Sequence, residues 1–505
     1  MIRSPLTLDR LVEALKGAGL EAELQGPGKL AVAAAAQESG RIGEGELFLA
    51  WKGTATDAHD FVAEAAERRA AAAVVERFVE APIPQIRVND GRRAAAILAH
   101  LLAGEPTRHL RVAAVTGTNG KTTTALLARH LLGTLGPAAA MGTLGTVGPD
   151  GEVVPGSGGL TTPGPVQLAN ALEWLVEKGM TTVTMEASSH ALDQRRLDGL
   201  EVEAAVFTNL TRDHLDYHKS FAAYRDAKAR LLLLVRAGGG VVVNGGDPAW
   251  SGLPPVKERL LIGRIEGDEV AGVPPCEGER LPDLVAENVD LTGEGSRFRV
   301  RWGEDDAAVS LPLLGRFNIE NAVAALGAGL LMGVSLDEGA AALADAPPPL
   351  GRLEVTVREP VPVILDYAHT PDALRRVLET LRPLYPGRLI LVFGAGGDRD
   401  RAKRPEMGKV AVAGADVLIV TSDNPRTEDP EAIIAEILAG MVGATYERIT
   451  DRRKAIARAL EVAEPGDAIL LAGKGHETYQ VIGTEKRPFD ERKVVRELLD
   501  DGRAA

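Results

Sequence analysis

Short apolar runs alternate with longer amphipathic stretches along the whole chain. The runs are rich in Val, Ile, Ala and Thr, whereas the stretches between them repeat apolar residues at helical spacing. This alternation is typical of βα units in a mostly parallel sheet, so we predict an α/β fold. The clearest predicted strands are 71–76, 112–117, 181–186, 204–209, 389–394 and 416–423.

Two proline-containing segments interrupt the alternation. Residues 103–111 precede a strand that opens a new unit, and residues 345–352 contain consecutive prolines, which cannot continue a helix. A stretch rich in Gly, Pro and acidic residues, 262–312, is expected to form a β-rich insertion. We therefore predict three domains, which span residues 1–108, 109–347 and 348–505.

The composition restricts the compartment and the partners. With 57 basic and 71 acidic side chains the net charge is −14, and without a long basic cluster a duplex nucleic acid is not an expected partner. The single cysteine, Cys276, cannot form an internal disulfide, which fits a reducing compartment, although a disulfide-free secreted protein would fit too. No apolar run approaches the ~18 residues of a membrane span, and Asp9 and Arg10 interrupt the first segment. We therefore expect a cytoplasmic protein without membrane insertion.

The strongest local signal is at 113–132, where an apolar strand, a glycine-rich turn and an amphipathic helix follow one another. Glycines let backbone N–H groups point at phosphate oxygens, and the helix N-terminus adds partial positive charge. Lys121 would meet the outer phosphates, and Thr122 would place a hydroxyl on Mg²⁺. Because Val115 stands where the Walker pattern has its first glycine, the loop is a shortened variant.

Two polar residues follow neighbouring predicted strands. Glu186 ends one strand, and His214 lies just past another. Taken singly, each would more often be a solvated or capping loop residue. Parallel sheets, however, build ligand clefts at the carboxyl ends of their strands, where a carboxylate can orient a divalent ion beside a nucleotide. Behind a phosphate loop, the two residues together indicate a catalytic cleft.

A series of short motifs runs through the chain: GTNGKTT, MEASSH, NLTRDHLDYH, AYRDAK, LLGRFNIENAVAA, LGRLE, DYAHTPDAL, GGDRDRAKRP, SDNPRTEDP and AGKGHETYQ. In this order they resemble the motifs of the Mur ligases, above all of the branch that adds the third-position diamino acid of peptidoglycan. The resemblance covers nearly the whole chain. It implies a three-domain α/β architecture with a central P-loop ATPase-like parallel sheet and a Rossmann-like C-terminal domain.

The resemblance also implies the reaction. These ligases use ATP to convert the glutamyl carboxylate of a UDP-N-acetylmuramoyl dipeptide into an acyl phosphate, which the amine of a diamino acid attacks to give an amide and phosphate. We therefore expect an ATP-dependent amide ligase of peptidoglycan synthesis that acts on small-molecule substrates as a monomer. ATP and Mg²⁺ are the expected cofactors.

The expected catalytic residues include a lysine that needs modification. By similarity, Thr122 and Glu186 would hold one Mg²⁺, and His214 with Lys228 a second, while Lys121 would stabilise the transferred phosphoryl group. An ammonium would be repelled by Mg²⁺, but the matching family lysine is carbamylated and so becomes a carboxylate-like ligand. We expect Lys228 to be carbamylated.

The same resemblance assigns binding residues. Asn318 and Asn321 are three residues apart, so both amides could reach one ligand from one helical face. The expected ATP-binding residues are Gly117, Thr118, Asn119, Gly120, Lys121, Thr122, Thr123, Asn318, Asn321, Arg352, Asp366 and His369. The expected residues for the UDP-linked acceptor are Ser39, Thr161, Thr162, Ser188, Gln194 and Arg196.

Two segments of the N-terminal domain depart from the family pattern. The family has Asp-Ser-Arg where this chain has Glu38-Ser39-Gly40, and Arg41 is the candidate substitute for the missing arginine. Residues 57–59 replace a turn that usually contains glycine. These departures concern the uridine side of the acceptor and leave the reaction unaffected.

The DNPR segment at 423–426 distinguishes between diamino acids. meso-Diaminopimelate carries a carboxylate and an ammonium at its far end, and a guanidinium can clamp such a carboxylate through two hydrogen bonds. This form of the segment resembles the diaminopimelate-adding branch, although L-lysine and L-ornithine stay open as alternatives. Arg399 and Arg426 would bind carboxylates, and Glu477 and the Gly473 carbonyl would accept from the far ammonium. The expected residues are Arg399, Asp423, Asn424, Pro425, Arg426, Gly473 and Glu477.

Other functions remain open at this stage. A related amide ligase, such as a folylpolyglutamate synthetase, would share the phosphate loop. A P-loop regulatory or transport ATPase would hydrolyse ATP without any amino acid. A non-catalytic relative that binds a wall precursor would be expected to have a damaged phosphate loop, which this chain does not show.

Overall fold

The computed structural model describes residues 5–53, 56–154 and 157–503. Each of the six predicted strands is present, which confirms the α/β class. The chain forms two compact units: one contains residues 1–285, 301–305 and 321–342, and the other contains 286–300, 306–320 and 343–505. The three-domain division at 108 and 347 stays a prediction. No helix in the described part of the chain is long and apolar enough to cross a membrane.

The N-terminal part of the first unit is built on a small sheet. Its elements are β1 Leu6–Thr7, α1 Leu8–Gly17, β2 Ala22–Gln25, β3 Ala31–Val32, β4 Ala35–Ala36, β5 Leu47–Leu49, α2 Val62–Glu67, β6 Ala72–Val75, β7 Gln85–Val88 and α3 Gly91–Leu102. The strand order is β2-β7-β6-β5-β4, with β2 antiparallel and the others parallel. The apolar faces of α1 and α3 pack on this sheet, because their leucines and alanines recur at helical spacing.

The next part of the chain contains the predicted phosphate loop. Its elements are β8 Arg111–Thr116, α4 Lys121–Leu132, β9 Ala138–Gly142, β10 Gly145–Val147, α5 Pro165–Glu177, β11 Thr182–Glu186, α6 Ser189–Asp193, β12 Val202–Phe207, α7 Leu215–His218, α8 Phe221–Ala229, β13 Val235–Asn244 and β14 Arg259–Ile265. The strand order is β10-β9-β11-β8-β12-β13-β14, and all pairs except β9 with β10 are parallel. Because β8 lies between β11 and β12, the residues that follow these three strands meet at one sheet edge.

The segment before the second proline-containing segment, 345–352, is β-rich over 262–312, as predicted, and then helical. Its elements are β15 Leu284–Thr292, β16 Gly295–Trp302, β17 Asp305–Leu311, α9 Arg316–Leu331 and α10 Leu336–Leu343. The three strands are neighbours in chain order. Alternating buried and exposed residues along β16 and β17 are typical of strands with one covered face.

The rest of the second unit is a doubly covered parallel sheet. Its elements are β18 Glu354–Val357, β19 Val363–Asp366, α11 Pro371–Leu381, β20 Leu389–Phe393, α12 Lys403–Gly414, β21 Val417–Val420, α13 Pro430–Leu438, β22 Glu447–Arg448, α14 Arg452–Val462, β23 Ala468–Ala472, β24 Tyr479–Ile482, β25 Glu485–Pro488 and α15 Glu491–Arg503. The order is β18-β19-β23-β20-β21-β22, in which β18 is antiparallel to β19 and the other pairs are parallel, while β24 and β25 form a separate antiparallel pair. Separate apolar clusters on its two faces bury strands β19, β20 and β23, which explains their continuous apolar runs.

Candidate active site

The turn between β8 and α4 depends on two glycines with left-handed backbone angles. Gly117 has φ 152° and Gly120 has φ 83°. A Cβ atom at Gly117 would lie 1.9 Å from Thr208 Oγ1, and one at Gly120 would lie 2.2 Å from Asn321 Oδ1. A larger residue at either position would be strained and would displace a polar side chain. The structure thus forms the tight glycine turn that the sequence predicts.

Two residues that sequence analysis missed hold this turn from the neighbouring strand. Thr208 Oγ1 donates to Asn119 O at 2.7 Å, and Asn209 Oδ1 accepts from Asn119 N at 2.9 Å. Thr118 N donates to Asn209 O at 2.7 Å. Their position directly after β12, the strand beside β8, is the signal that could have revealed them. Because the turn is held in place, its remaining N–H groups are preorganised for an anion.

The predicted lysine and threonine lie in the first turn of α4. Lys121 bends back so that its Nζ donates to the carbonyls of Gly117 at 2.9 Å and Thr118 at 2.8 Å. Thr122 Oγ1 donates to Glu186 Oε1 at 2.9 Å. The structure therefore brings the ammonium to the turn and the threonine hydroxyl to the strand-end carboxylate.

Glu186 is a buried carboxylate held by neutral donors. It is 2% exposed, and besides Thr122 it accepts from Thr143 N at 2.7 Å and Thr143 Oγ1 at 3.2 Å. Among the described residues, no nitrogen of Lys, Arg or His lies within 4.0 Å of its oxygens. A buried carboxylate without a cationic partner suits a divalent cation. No three His, Cys, Asp or Glu side chains of the described residues form a metal site by themselves.

Lys228 is an interior lysine and not a helix-surface one. It is 1% exposed, and its Nζ donates to Gly117 O at 2.7 Å and lies 4.4 Å from the ring centre of Tyr224. Burial, with the ammonium of Lys121 nearby, holds the pKa of Lys228 well below its usual range. In the part of the chain that the structure describes, no carboxylate oxygen lies within 4.0 Å of this nitrogen. Tyr224, which also contacts Thr118 Oγ1 at 3.2 Å, was not singled out from the sequence.

His214 lies near the tyrosine that contacts Lys228, because its ring centre is 6.2 Å from that of Tyr224. It is the N-cap residue before α7, with φ 52°, and its Nε2 is 3.4 Å from Asp213 Oδ2. Burial lowers the pKa of His214, Asp213 opposes this, and the charges of Lys121 and Lys228 lower it further. The residues predicted for the second metal, His214 and Lys228, are therefore brought together beside the phosphate turn.

Three of the predicted acceptor residues continue the hydrogen bonds around Glu186. Thr162 Oγ1 donates to Glu186 O at 2.7 Å, and Ser188 N donates to Thr162 Oγ1 at 3.1 Å. The hydroxyls of Thr161 and Thr143 are 3.1 Å apart, and Thr143 binds Glu186 directly. Hydrogen bonds thus connect the residues predicted for the UDP-linked acceptor to Glu186, the predicted metal ligand.

Arg196 and Gln194 extend the same group. Arg196 Nη1 donates to Thr162 O at 2.8 Å, and its Nη2 donates to Gln194 Oε1 at 2.7 Å. Gln194 Nε2 donates to the Tyr217 hydroxyl at 3.3 Å. Burial lowers the pKa of Arg196. A partly buried guanidinium fixed in this way can bind a carboxylate or phosphate with little loss of side-chain freedom.

Ser39 is held in the N-terminal part of the unit. Its Oγ donates to Glu64 Oε2 at 3.3 Å. Arg41, the candidate substitute for the missing family arginine, is 76% exposed in its side chain. In the segment that replaces the glycine-containing turn, the ring of His59 is buried, with Nδ1 2.5 Å from Asp57 Oδ1. This pair holds the pKa of Asp57 at about 2.

The two asparagines of α9 are buried and contact protein groups. Asn321 Oδ1 accepts from Thr124 Oγ1 at 3.3 Å, beside Gly120 at the start of α4. Asn318 Nδ2 donates to Leu314 O at 2.8 Å. Asn321 therefore contributes to the wall of the phosphate turn, while Asn318 also ties the first turn of its own helix to the preceding chain.

In the second unit, the C-terminal residues that were predicted to bind ATP lie around Tyr367. The Arg352 guanidinium lies 4.8 Å from the ring centre of Tyr367, and the ring of His369 is 4.7 Å from it. Asp366 Oδ2 accepts from Leu353 N at 2.8 Å, and Oδ1 accepts from Ala368 N at 2.7 Å. Burial raises the pKa of Asp366, and the nearby Arg352 opposes this. The structure thus places Arg352, Asp366 and His369 close together, and their contact with ATP stays a prediction.

The predicted diamino-acid residues surround a buried lysine that sequence analysis did not select. Lys474 is 0% exposed, and its Nζ lies 3.1 Å from Glu477 Oε2, 3.1 Å from Asn424 Oδ1 and 3.6 Å from Asp423 Oδ1. Asn424 Nδ2 also donates to Glu477 at 2.8 Å. The GKGHE motif contains this lysine, so its place between two glycines was the available signal. A Cβ at Gly473 would lie 3.3 Å from Asp423 Oδ2.

Arg426 and Arg399 lie on two loops that contact each other. Arg426 has φ 52°, and its Nη1 donates to Gly397 O at 2.6 Å. Its backbone N–H donates to Val481 O at 3.0 Å. Arg399 is exposed. Pro425, between Asn424 and Arg426, has its carbonyl against Gly397, where a Cβ would lie 1.9 Å away. The sequence-predicted residues of the DNPR segment therefore form one site with Gly473 and Glu477.

Comparisons with known proteins find relatives that match most of the chain. The Mur ligase middle domain matches residues 115–329, and the Mur ligase glutamate ligase domain matches residues 351–475. A UDP-N-acetylmuramoyl-L-alanyl-D-glutamate--2,6-diaminopimelate ligase from Gloeobacter violaceus is 41% identical over 94% of this chain and 95% of its own length. A protein with the same name from Geobacillus kaustophilus is also 41% identical, over 93% of this chain and 95% of its own.

Solved structures are similar to most or nearly all of the chain. The structure of a UDP-N-acetylmuramoyl-L-alanyl-D-glutamate--2,6-diaminopimelate ligase has a TM-score of 0.69 and 32% identity, and the match covers 99% of this chain and 100% of that one. A folylpolyglutamate synthase from Mycobacterium tuberculosis, complexed with ADP and AMPPCP, has a TM-score of 0.59 at 19% identity over 75% of this chain and 92% of its own. The latter similarity concerns the fold alone.

Proposed function

The chain belongs to the Mur ligase family, and we propose that it joins meso-diaminopimelate to UDP-N-acetylmuramoyl-L-alanyl-D-glutamate. The products are the UDP-linked tripeptide, ADP and phosphate. The observation that carries this function is the 41% identity to diaminopimelate ligases over 94% of the chain. An intact phosphate turn with Lys121 and the Thr122–Glu186 pair supports it.

The chemistry requires activation of a carboxylate. A carboxylate oxygen is a poor leaving group, so the glutamyl carboxylate first attacks the γ-phosphorus of ATP and becomes an acyl phosphate with release of ADP. The diamino-acid amine then attacks the acyl carbon, phosphate leaves and a proton is lost from nitrogen. Lys121 stabilises the negative charge of the transferred phosphoryl group, and the turn's N–H groups bind phosphate oxygens. We assign Gly117, Thr118, Asn119, Gly120, Lys121, Thr122 and Thr123 to ATP.

Thr122 and Glu186 are suited to hold Mg²⁺, and we assign them this role. When bound, the ion supplies Lewis-acid stabilisation of phosphate oxygens. The hydroxyl and the buried carboxylate are already in contact at 2.9 Å, so little rearrangement would be needed. Thr143 orients the carboxylate with two hydrogen bonds.

We propose that Lys228 is carbamylated and acts with His214 as the second cation site. The buried lysine has no carboxylate partner among the described residues, and its lowered pKa favours the uncharged amine that carbamylation needs. The amine nitrogen forms a bond to the carbon of CO₂ and loses a proton, which converts a cation into an anion. Two oxygens near the phosphate turn would then be available for Mg²⁺.

The remaining predicted residues are assigned to ATP and to the UDP-linked acceptor. Asn318 and Asn321, with Arg352, Asp366 and His369, are proposed for the rest of ATP. The acceptor is assigned to the Glu186-linked group and to one N-terminal residue: Ser39, Thr161, Thr162, Ser188, Gln194 and Arg196.

The diamino acid is assigned to the site around Lys474. A second carboxylate at the far end of meso-diaminopimelate suits the guanidinium of Arg426, and L-lysine and L-ornithine lack that group. Glu477 and the Gly473 carbonyl are proposed to accept from the far ammonium. The full set is Arg399, Asp423, Asn424, Pro425, Arg426, Gly473 and Glu477.

The test is a panel of diamino acids with ATP, Mg²⁺ and the UDP-muramoyl dipeptide, with the product identified by mass. We expect the tripeptide with meso-diaminopimelate, and little product with L-lysine or L-ornithine. Preferential ligation of lysine or ornithine would replace the proposed specificity. Rapid ATP hydrolysis without the acceptor would overturn the ligase function. We further propose that the enzyme acts in the cytoplasm and that it is a monomer. Size-exclusion chromatography with light scattering can check the oligomeric state.

A further inference from the structure

The two loops that carry Arg399 and Arg426 are joined by several contacts. Gly397 N donates to Asn424 O at 2.9 Å, and Arg426 Nη1 donates to Gly397 O at 2.6 Å. A Cβ at Gly396 would lie 3.1 Å from Arg426 Nη1 and 3.8 Å from Arg399 Cγ. Both arginine side chains therefore pass close to the same glycine, and their separation depends on how the loops are held.

Asp398 connects the loops a second time. Its backbone has φ 53°, a conformation that L-residues rarely adopt without outside support. Its carboxylate accepts from Thr427 Oγ1 at 2.8 Å and from Thr427 N at 3.2 Å. Its own N–H donates to Glu428 Oε1 at 2.5 Å. Glu428 thus receives a hydrogen bond from the opposite loop.

A buried arginine of α12 contacts both loops at once. Arg404 is 0% exposed and donates to the two oxygens of Glu428 at 2.7 and 2.9 Å. Its Nη2 also donates to Gly396 O at 3.2 Å, and its Nη1 donates to Glu436 of α13 at 2.7 Å. The Arg404 pair and the Asp398 N–H hold the pKa of Glu428 at about 2. The guanidinium is therefore a rigid fork fixed between two loops and two helices.

We propose that Arg404 is a positioning residue that sets the separation of Arg399 and Arg426, and thereby the selectivity for an amino acid with two carboxylates. This inference rests on the proposed function of the two loop arginines, Arg399 and Arg426. A planar fork with fixed angles can hold Glu428 and the Gly396 carbonyl simultaneously, whereas a lysine ammonium is a single point of charge. Substrate does not need to touch Arg404, because the guanidinium acts through the loops.

The chain offers a matched control in Arg401, which lies just before α12 and contacts the same helix α13. Arg401 also pairs with Glu436, but its side chain is 65% exposed. Within the described residues, Arg401 donates hydrogen bonds to Glu436 and none to Glu428 or to the Gly396 carbonyl. Replacing Arg401 by lysine removes one guanidinium–carboxylate pair near the loops while leaving the fork between them intact.

The experiment measures kcat and KM for each substrate in the full-length enzyme with Arg404→Lys, Glu428→Gln and the control Arg401→Lys. We expect KM for meso-diaminopimelate to rise about 10- to 100-fold in the first two, since loop displacements of about 1 Å have effects of this size. KM for ATP and for the UDP-linked dipeptide should stay at the wild-type values. Arg401→Lys should behave as wild type.

A double-variant cycle with Arg426→Ala separates positioning from general stability. If Arg404 acts through Arg426, the effect of Arg404→Lys on KM should be much smaller in the Arg426→Ala background. Full additivity, or an equal rise of KM for all three substrates, would overturn the inference. If Arg404→Lys does not fold, Glu428→Gln decides alone, because it keeps the size and shape of the side chain. A wild-type enzyme that fails to ligate meso-diaminopimelate would instead refute the proposed function.

Discussion

Replacement of Lys474 by methionine should separate the electrostatic support of the diamino-acid site from its packing. The methionine keeps most of the apolar volume of the side chain and removes only the ammonium. In the structure this ammonium is fully buried, 3.1 Å from the Glu477 carboxylate and 3.6 Å from that of Asp423. Asp423 Oδ1 has no hydrogen-bond donor in the described structure, so the ammonium is its main compensation.

The magnitude follows from these distances. At an effective dielectric constant of about 20, each charge pair at such a separation is worth roughly 5 kcal/mol in Coulomb energy. The cost of removing the three charges from water offsets most of this sum. Removing only the cation leaves two carboxylates uncompensated, and breaking a buried pair in this way typically costs about 3–5 kcal/mol. We therefore expect Lys474→Met to lower the unfolding free energy of the C-terminal sheet by that amount.

The assay is native-state hydrogen exchange of peptides from 354–488, followed by mass spectrometry. A loss of about 3–5 kcal/mol corresponds to exchange that is about two to four orders of magnitude faster in the strands next to Lys474. Lys486→Met is the matched control, because Lys486 is exposed and lies 4.3 Å from the ring of Tyr479, which Lys474 also approaches at 6.0 Å. Exchange equal to wild type in Lys474→Met would refute the reasoning that this cation compensates the two carboxylates.

Four further predictions follow from the geometry. Lys121→Ala should lower kcat about 10²- to 10³-fold with an unchanged circular dichroism spectrum, because a charge that stabilises the transferred phosphoryl group is lost; near-wild-type turnover would contradict this. Lys228→Ala should be inactive in product formation and partly restored by added acetate, whereas no restoration would leave carbamylation unsupported. Arg426→Ala should lower kcat/KM for meso-diaminopimelate by the equivalent of ~1.5–3 kcal/mol, because one charge-assisted pair is lost. An equal loss of kcat/KM for L-lysine would show that Arg426 does not determine the choice of diamino acid. Burial lowers the pKa of His100 from 6.5 to about 4, so the unfolded state binds more protons between these values and the free energy of unfolding falls as the pH drops through this window. When urea titrations at pH 7.5 and pH 5 are compared, the free energy of unfolding of His100→Gln should therefore fall by ~2 kcal/mol less than that of the wild type.

Much of the site could be predicted because its chemistry is local in sequence. The strand, the glycine turn and the helix from 113 to 132 are consecutive, and each glycine occupies a position where a Cβ would collide. The carboxyl-end rule for parallel strands likewise predicted that Glu186 would lie beside this turn, and it contacts Thr122. Here local propensity and topology were sufficient.

Other parts of the site depend on contacts between distant segments. Lys228 lies 111 residues from the carbonyl that it contacts, and Asn209 lies 90 residues from the turn that it holds. In sequence, an Asn after a strand and a Lys in a helix have many possible environments. The same holds for Lys474, 50 residues from Asn424, and for Arg404, 24 residues from Glu428.

The sequence by itself determined the α/β class, the phosphate turn, the family and the residue types available for chemistry, because these depend on periodicity, glycine placement and motif order. Only the tertiary structure decided which charges are buried and what compensates them. Burial and pairing depend on the packing of segments that are far apart in the chain, and they convert Lys228, Lys474 and Arg404 from ordinary basic residues into interior groups.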